Sequence, residues 1–512
     1  MRKFISILLV ALMVVSLAAV SVSAADTVEV ATAEQFASMP ADGNVKLTAD
    51  ITIDASYAEA FTGTFDGNGH TVTVSAPMFS TLTGATVSNL TINGKIAVSG
   101  HAGAVAASGS KVTLSNITNN ADISSSKESG YVGGMIGSVT TGGGKADALE
   151  TSTFTGCVNN GTITGGAGTP RIGGMVGNSA KHQFSSFTNC VNNGHITFVQ
   201  AEGQTALAGA TYAGGLIGGI FHGSFVNCLN TGDIDCPVKC DMGGIAGRLT
   251  PSTQQADHSV SFVNCTNKGT LTDVGRSVGG IFGYAGVSMK DGAHAVYSIK
   301  NCVNLGNITN KGTDGNGNAG GLAGYVYGQD LVEGNAVYQY CTVEDSINAG
   351  NVTLQNTGFA SQFIGYTNTK NTTIKNSLGS GKVTAEVENH AAVVALSSAS
   401  VLDYQISGNK LVSNDGTQVY GWCADDTSGA EKNYANARKT LAEAPEGAVT
   451  FVDTATMSNL VGAASAWGYQ APSNGGTNTP DAPATGDNAI VWVAFAVCAV
   501  FGTAFAAKKK FN

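Results

Sequence analysis

Two blocks, Asn189-Cys-Val-Asn-Asn-Gly-His-Ile196 and Gly214-Gly-Leu-Ile-Gly218, alternate through most of this chain. The second returns as Gly133-Gly-Met-Ile-Gly137, Gly173-Gly-Met-Val-Gly177, Gly243-Gly-Ile-Ala-Gly247, Gly279-Gly-Ile-Phe-Gly283 and Gly320-Gly-Leu-Ala-Gly324. Degenerate copies sit at Gly103-Ala-Val-Ala106 and Ser361-Gln-Phe-Ile-Gly365. The first returns as Asn227-Cys-Leu-Asn-Thr-Gly-Asp-Ile234 and Asn301-Cys-Val-Asn-Leu-Gly-Asn-Ile308. From Gly133 to Ser361, successive copies of the glycine block are 40, 41, 29, 36, 41 and 41 residues apart. Constant short blocks at variable spacing mean loops of different length leaving one scaffold. Each repeat holds three short apolar stretches broken by Gly and Asn, none long enough for a helix. One coil of a parallel β-helix per repeat accommodates this pattern, with strands of successive coils stacked about 4.8 Å apart. The expected fold is therefore all-β, a parallel (right-handed) β-helix solenoid with short capping helices. About nine coils at that rise give a rod on the order of 45 Å long. An antiparallel sandwich array would need hairpin signals between neighbouring strands, and few Asn-Gly pairs are placed for that.

Composition agrees. Of 512 residues, 68 are Gly, 9 are Pro and only 12% are charged, while 43% are hydrophobic. High Gly without a strict third-residue period excludes collagen and disfavours long helices. Low charge with ordinary hydrophobicity excludes a disordered acidic or basic tail protein. The formal charge is −10. Without the end segments that hold Arg2, Lys3, Asp487, Lys508, Lys509 and Lys510, 21 basic residues face 35 acidic ones, a balance of −14. Nucleic acid repels such a surface, so no nucleic-acid partner is expected.

The glycine and asparagine blocks resemble the GLUG-motif repeats of bacterial surface proteins, some of them secreted metallopeptidases. The resemblance covers residues 86–385. The preceding Phe61-Thr-Gly-Thr-Phe-Asp-Gly-Asn-Gly-His-Thr-Val72 is similar to the opening coil of pectate-lyase-like β-helix proteins. Residues 26–85 are read as an N-terminal cap and opening coil. Within them Thr32-Ala-Glu-Gln35 forms a capping box for a short helix carrying Phe36 and Met39. Past residue 385 the repeat fades, and 386–470 is read as a C-terminal cap or small domain. There Asp453 or Thr454 can cap a helix with Met457, Leu460, Val461 and Ala464 on one face.

The two ends carry addresses. Residues 1–25 read as a secretory signal: Arg2 and Lys3, an apolar run from Ile5 to Val20, then small residues around Ala24. Residues 471–481 are a polar linker. Residues 482–512 hold Ala482-Pro-Ala-Thr-Gly486, an uncharged apolar run from Ala489 to Ala507 and Lys508-Lys-Lys510. The run has the length to span a bilayer, with the lysines at its cytoplasmic end. The arrangement resembles the LPxTG-type sorting signal of Gram-positive surface proteins, in which a sortase cuts between Thr and Gly and joins the Thr carbonyl to peptidoglycan. The matching residues are Pro483, Ala484, Thr485 and Gly486, with Ala482 where Leu is usual. The resemblance implies export to the cell wall, with sortase and peptidoglycan as partners and membrane contact only through this segment before processing.

Five cysteines, Cys157, Cys190, Cys228, Cys265 and Cys302, share one repeat position with Leu90, Ile117, Ser346 and Ser377. Leu90 and Ile117 there predict an inward-facing ladder, with Cys as a small core hydrophobe. Disulfides along such a ladder would need Cβ directions that stacked equivalents do not have. A thiolate metal row lacks His or CxxC partners. Cys236 and Cys240, four apart in one loop, are the local pair expected to bridge. Asn forms two further rows, one before the Cys position (Asn89, Asn116, Asn189, Asn227, Asn264, Asn301, Asn376) and one two residues after it (Asn119, Asn159, Asn192, Asn230, Asn267, Asn304). Asn tolerates left-handed turn geometry, and stacked amides can bond along the rod axis.

Chemistry is sparse. The chain contains no HExxH, GxSxG or Walker motif, and no cofactor or metal is implied. The best enzyme alternative is a polysaccharide lyase or glycoside hydrolase on the same scaffold, with Asp66, Asp241, Asp314 and Arg276 as raw material. Trp422 and Trp467 are the aromatic candidates for sugar stacking outside the apolar run, and core packing suits them better. The favoured expectation is a non-enzymatic, wall-attached rod. It would act as an adhesin toward an extracellular glycan or protein, using loops such as Val139–Ser152, Gln200–Tyr212 and Ser288–Ser298.

Overall fold

A computed structural model describes residues 26–385 except 127–129, 142–148, 167–168, 200–210, 251–256, 287–293, 313–316, 328–337, 356–357, 368–371, 376 and 380–382; beyond 385 it describes only short strands between 391 and 451. The described residues fall in one compact unit. Within it the chain is all-β, a parallel β-helix in which each coil lays its strands on those of the coil before. One coil shows the plan. Gln183–Thr188 and Val191–Asn192 form the first face, Ile196–Phe198 the second, and Thr211–Gly214 with Ile217–Ile220 the third side. The next coil repeats it in register: Phe187 pairs with Phe225, Val191 with Leu229, Ile196 with Ile234 and Gly214 with Gly243. Described pairings are parallel throughout, save Gly421–Cys423 against Arg438–Lys439.

Alternation along each strand sends every second side chain inward. The inward columns are continuous. Phe154, Phe187, Phe225 and Phe262 stack with centroids 4.7, 4.9 and 4.8 Å apart and planes within 9° of parallel. Each ring is fully buried. Beside them runs the buried asparagine row. The Asn119 Nδ2 donates to Asn159 Oδ1 at 2.7 Å, and the same bond joins Asn159 to Asn192, Asn192 to Asn230, Asn230 to Asn267, Asn267 to Asn304 and Asn304 to Asn348 at 2.8 Å. Each amide also donates to the carbonyl two residues ahead, as Asn230 does to Gly232 at 2.9 Å. The last member, Asn348, donates instead to the Gln362 side chain at 2.8 Å. The row thus ends on an acceptor.

Glycine makes room for this row. A Cβ built on Gly244 would lie 2.4 Å from the Asn267 amide carbon and 2.1 Å from the Gly280 carbonyl oxygen. On the other side, a Cβ on Gly232 would lie 2.0 Å from the Gly194 carbonyl oxygen. The Gly-Gly pair and the Asn-x-Gly triplet are therefore two walls of one slot. The outer asparagine row has a different cause. Asn89, Asn116, Asn189, Asn227, Asn264 and Asn301 all hold φ between 52° and 54°, the left-handed corner that Asn tolerates, and Gly156 and Asp345 take the same position in their coils. Their side chains also bond between coils, Asn264 Nδ2 to Asn227 Oδ1 at 3.1 Å.

The capping box opens a short helix as its sequence specifies. In the helix Ala33–Ala37, Thr32 accepts from the Gln35 amide, and Gln35 Oε1 accepts from the Ala31 amide. Phe36 is buried against Tyr57, Phe65 and Phe79. The stack starts earlier than the repeat blocks do. Thr27–Val30 pairs with Asn44–Leu47, that strand with Thr64–Asp66, and that with the strand beginning at Thr86. The column from Val28 through Val45, Phe65 and Val87 to Val343 has eleven members, more than the nine coils expected. These opening coils carry Val and Phe in the column but neither block, so a block search passes over them. Past 385, Gln405–Ser407 and Asn409–Leu411 still pair in parallel with the preceding coil. The helix expected near Met457 and the end segments 1–25 and 471–512 lie outside the described residues. Among the described residues no helix is long and apolar enough to cross a membrane.

Gly244→Ala should cost more than about 3 kcal/mol in denaturant unfolding, because backbone rather than a side-chain end blocks the new methyl. Gly100→Ala, whose Cβ meets nothing within 4 Å, should change stability by less than about 1 kcal/mol. Equal effects would contradict the slot.

Candidate functional site

The cysteine position is interior. Leu90 pairs with Ile117, and Cys157, Cys190, Cys228, Cys265 and Cys302 follow in the coils after them, all fully buried and unbridged. Each thiol near the turn donates to main chain, Cys228 Sγ to the Phe187 and Val226 carbonyls at 3.5 Å. Burial pushes the Cys228 and Cys265 thiols well up, and Cys341 up to about 12. Cys236 and Cys240, expected to bridge, are both free and buried. Cys236 Sγ instead donates to the Val238 carbonyl at 3.1 Å.

The acidic candidates part ways. Asp66 closes a turn, accepting from the Asn68 amide at 2.9 Å and the Asn89 side chain at 3.1 Å. Asp314 and Trp467 lie outside the described residues, as do the side chain of Trp422, Asn376, most of the three loops and the sorting residues Ala482–Gly486. Asp241 and Arg276, far apart in sequence, do meet: Asp241 Oδ2 is 3.7 Å from Arg276 and 3.0 Å from Arg248. The adjoining Asp273 is fully buried and accepts from the Arg276 amide at 2.9 Å, while its Oδ1 has no hydrogen-bond partner. Burial raises the Asp241 carboxyl and drives Asp273 up to about 7. Among the described residues no three His, Cys, Asp or Glu side chains are grouped to hold a metal.

Asp241 and Arg248 belong to a larger assembly that the sequence reading missed. Two positions flank each glycine block: the residue two before its first Gly and the residue directly after its last. The first position holds Tyr131, Arg171, Tyr212 and Asp241 in successive coils, each paired with the next. The second holds Asn178, Gly219, Arg248, Tyr284, Tyr325 and Tyr366, likewise paired in order. The glycine corner turns both columns to one outer edge of the rod. There they merge into a single ladder. The Arg171 guanidinium lies between Tyr131 and Tyr212, 5.3 and 4.9 Å from their ring centres, and bonds Asn178. Gly219 leaves the opening through which Tyr212 crosses toward Arg248, since a Cβ there would touch Arg171, Asn178 and Tyr212 at 3.2 Å.

Arg248 then lies between Tyr212 and Tyr284, at 5.1 and 4.2 Å. Tyr284, Tyr325 and Tyr366 continue edge to face at 5.2 and 5.0 Å. At the other end His101 stacks on Tyr131 at 4.9 Å. Tyr131, Arg171, Arg248, Tyr284 and Tyr325 are partly exposed. Burial raises the Tyr284 phenol to about 12, so its hydroxyl remains a donor. Three of the five arginines in the whole chain, Arg171, Arg248 and Arg276, stand on this edge. The signal was present in the sequence as Gly283-Tyr284, Gly324-Tyr325 and Gly365-Tyr366, one tyrosine at one fixed offset from the block.

Comparison with known proteins adds little to this geometry. No family model matches the chain, and no solved structure matches it. A stretch of 145 residues is 30% identical to halomucin of Haloquadratum walsbyi, covering 27% of this chain and 2% of halomucin.

The raised Asp273 carboxyl predicts a pH dependence. The unfolded chain releases this proton near the ordinary value of 3.8 and the folded chain only near 7, so stability falls as pH rises between the two. Asp273→Asn removes the ionisation and should abolish that contribution to the slope, on the order of 1.4 kcal/mol per pH unit at most. Denaturant midpoints at pH 4.5 and 7.5 measure it. An unchanged slope in Asp273→Asn would refute the assignment.

Proposed function

We propose that this chain is an exported surface protein, a right-handed β-helical rod joined by a sortase to the peptidoglycan of a Gram-positive-type cell wall, that binds an extracellular ligand as an adhesin or other interaction protein. The observation that carries this reading is the outer ladder from Tyr131 to Tyr366, laid along a rod whose interior is filled by phenylalanine and asparagine columns. Such a scaffold holds donors and aromatic edges at a fixed repeat, which suits recognition of an extended partner. Export rests on the signal-like segment 1–25, and attachment on Pro483, Thr485 and Gly486 followed by the apolar run and lysines. The juxtaposition of Asp241 with Arg276 is the feature that favours a lyase. Against it, Asp241 is only 2% exposed and is engaged by two guanidiniums, which leaves it poorly placed to hold Ca²⁺ or move a substrate proton.

In the native cell, Thr485→Ala should shift the protein from the wall fraction to membrane or medium, read by fractionation and immunoblot. Undiminished wall linkage would overturn the sorting assignment. Incubated with matrix glycans and pectins, the protein should be retained without releasing shortened products. Product release would overturn the non-enzymatic reading.

A further inference from the structure

We propose that the tyrosine and arginine ladder is a binding track for an extended acidic polysaccharide, carboxylated or sulfated, lying parallel to the rod axis. The inference rests on the surface-rod reading and specifies its ligand. Charge points to an anion. The chain is acidic and holds only five arginines, yet three of them share this edge with a single partnered carboxylate, Asp241. Among the described residues no carboxylate lies in ion-pair range of Arg171. Its guanidinium lies over two rings, which restricts its side chain before any ligand arrives and lowers the entropic cost of using its remaining N–H groups.

Spacing points to a glycan. Tyr284 and Tyr325 are partly exposed, and the edge-to-face steps from Tyr284 to Tyr325 and Tyr366 are 5.2 and 5.0 Å. That step is close to the length of one sugar ring in an extended chain, so successive sugars can meet successive coils in the same way. Phenol hydroxyls then bond sugar hydroxyls, and the guanidinium edges take the acidic groups. Single-stranded DNA lacks this one-hydroxyl-per-step pattern, so discrimination against it rests on the hydroxyl contacts and not on charge.

The test is binding of the full-length protein to polygalacturonate and dextran sulfate, with neutral dextran and single-stranded DNA as comparisons. At least one acidic polysaccharide should bind, well above dextran and DNA. Arg171→Gln should weaken it about tenfold, the loss expected for one charge-assisted hydrogen-bonding group. Tyr325→Phe, which removes only a hydroxyl, should weaken it about threefold to tenfold in a variant that still folds. If Arg171→Gln unfolds the protein, Tyr325→Phe and Arg276→Gln, at a side chain 34% exposed, carry the test. The proposal is overturned if neither acidic polysaccharide binds, if dextran or DNA binds as tightly, or if folded variants bind undiminished. Retention on another matrix ligand that these variants leave intact would sink the track and spare the rod. Release of shortened polygalacturonate would instead sink the non-enzymatic reading, whatever the variants do.

Discussion

The amide of a buried asparagine must find partners for its two N–H groups and its oxygen, and this requirement organises the whole coil. In this protein each Asn of the inner row from Asn119 to Asn304 gives one N–H to the carbonyl two residues ahead and the other to the equivalent Asn of the next coil. Both bonds are possible only if the next coil places the same residue at the same height. A coil shifted by one residue would strand a polar group in the core, at about 1–3 kcal/mol for each group left unpaired. The row therefore acts as a register pin. It also forces small residues around it, which is why Gly-Gly on one side and the Asn-x-Gly triplet on the other recur with it.

Because the inner row fixes register, outward positions inherit the same order. The residues flanking the glycine block have no packing duty of their own in the core, yet they line up from coil to coil because their neighbours must. Tyr and Arg at those positions become a ladder by inheritance. Their stacking adds a further contribution, of about 0.5–1 kcal/mol for each exposed cation–π contact and more where the pair is shielded from water. The same order lets the spacing between glycine blocks vary from 29 to 41 residues, since the added residues do not set the alignment of the coils.

Columns with one residue type were legible before any coordinates. The Cys, Asn and Gly rows could be read because a single chemical reason acts at each and keeps the residue nearly constant. The outer ladder could not, because its two positions hold Tyr, Arg, Asp, Asn and Gly, and continuity appears only when two columns are brought to one edge by the corner between them. The opening coils were undercounted for a related reason: Val45 and Phe65 fill the core column without the asparagine slot, so nothing in the block pattern marks them. Cys236 and Cys240 show the limit of spacing as evidence. Four residues apart in a loop suggested a bridge, whereas both thiols are turned into the core, where a main-chain carbonyl serves Cys236 instead.

One mechanical consequence follows from the direction of the asparagine bonds. They and the ladder bonds of the strands run along the rod, from coil to coil, rather than across it. Tension applied to the two ends of such a stack would pass through every interface alike, so the weakest would part first and coils would come away singly. A tether built this way would lengthen in small, similar steps under flow, dissipating a sudden tug instead of passing it whole to whatever it grips.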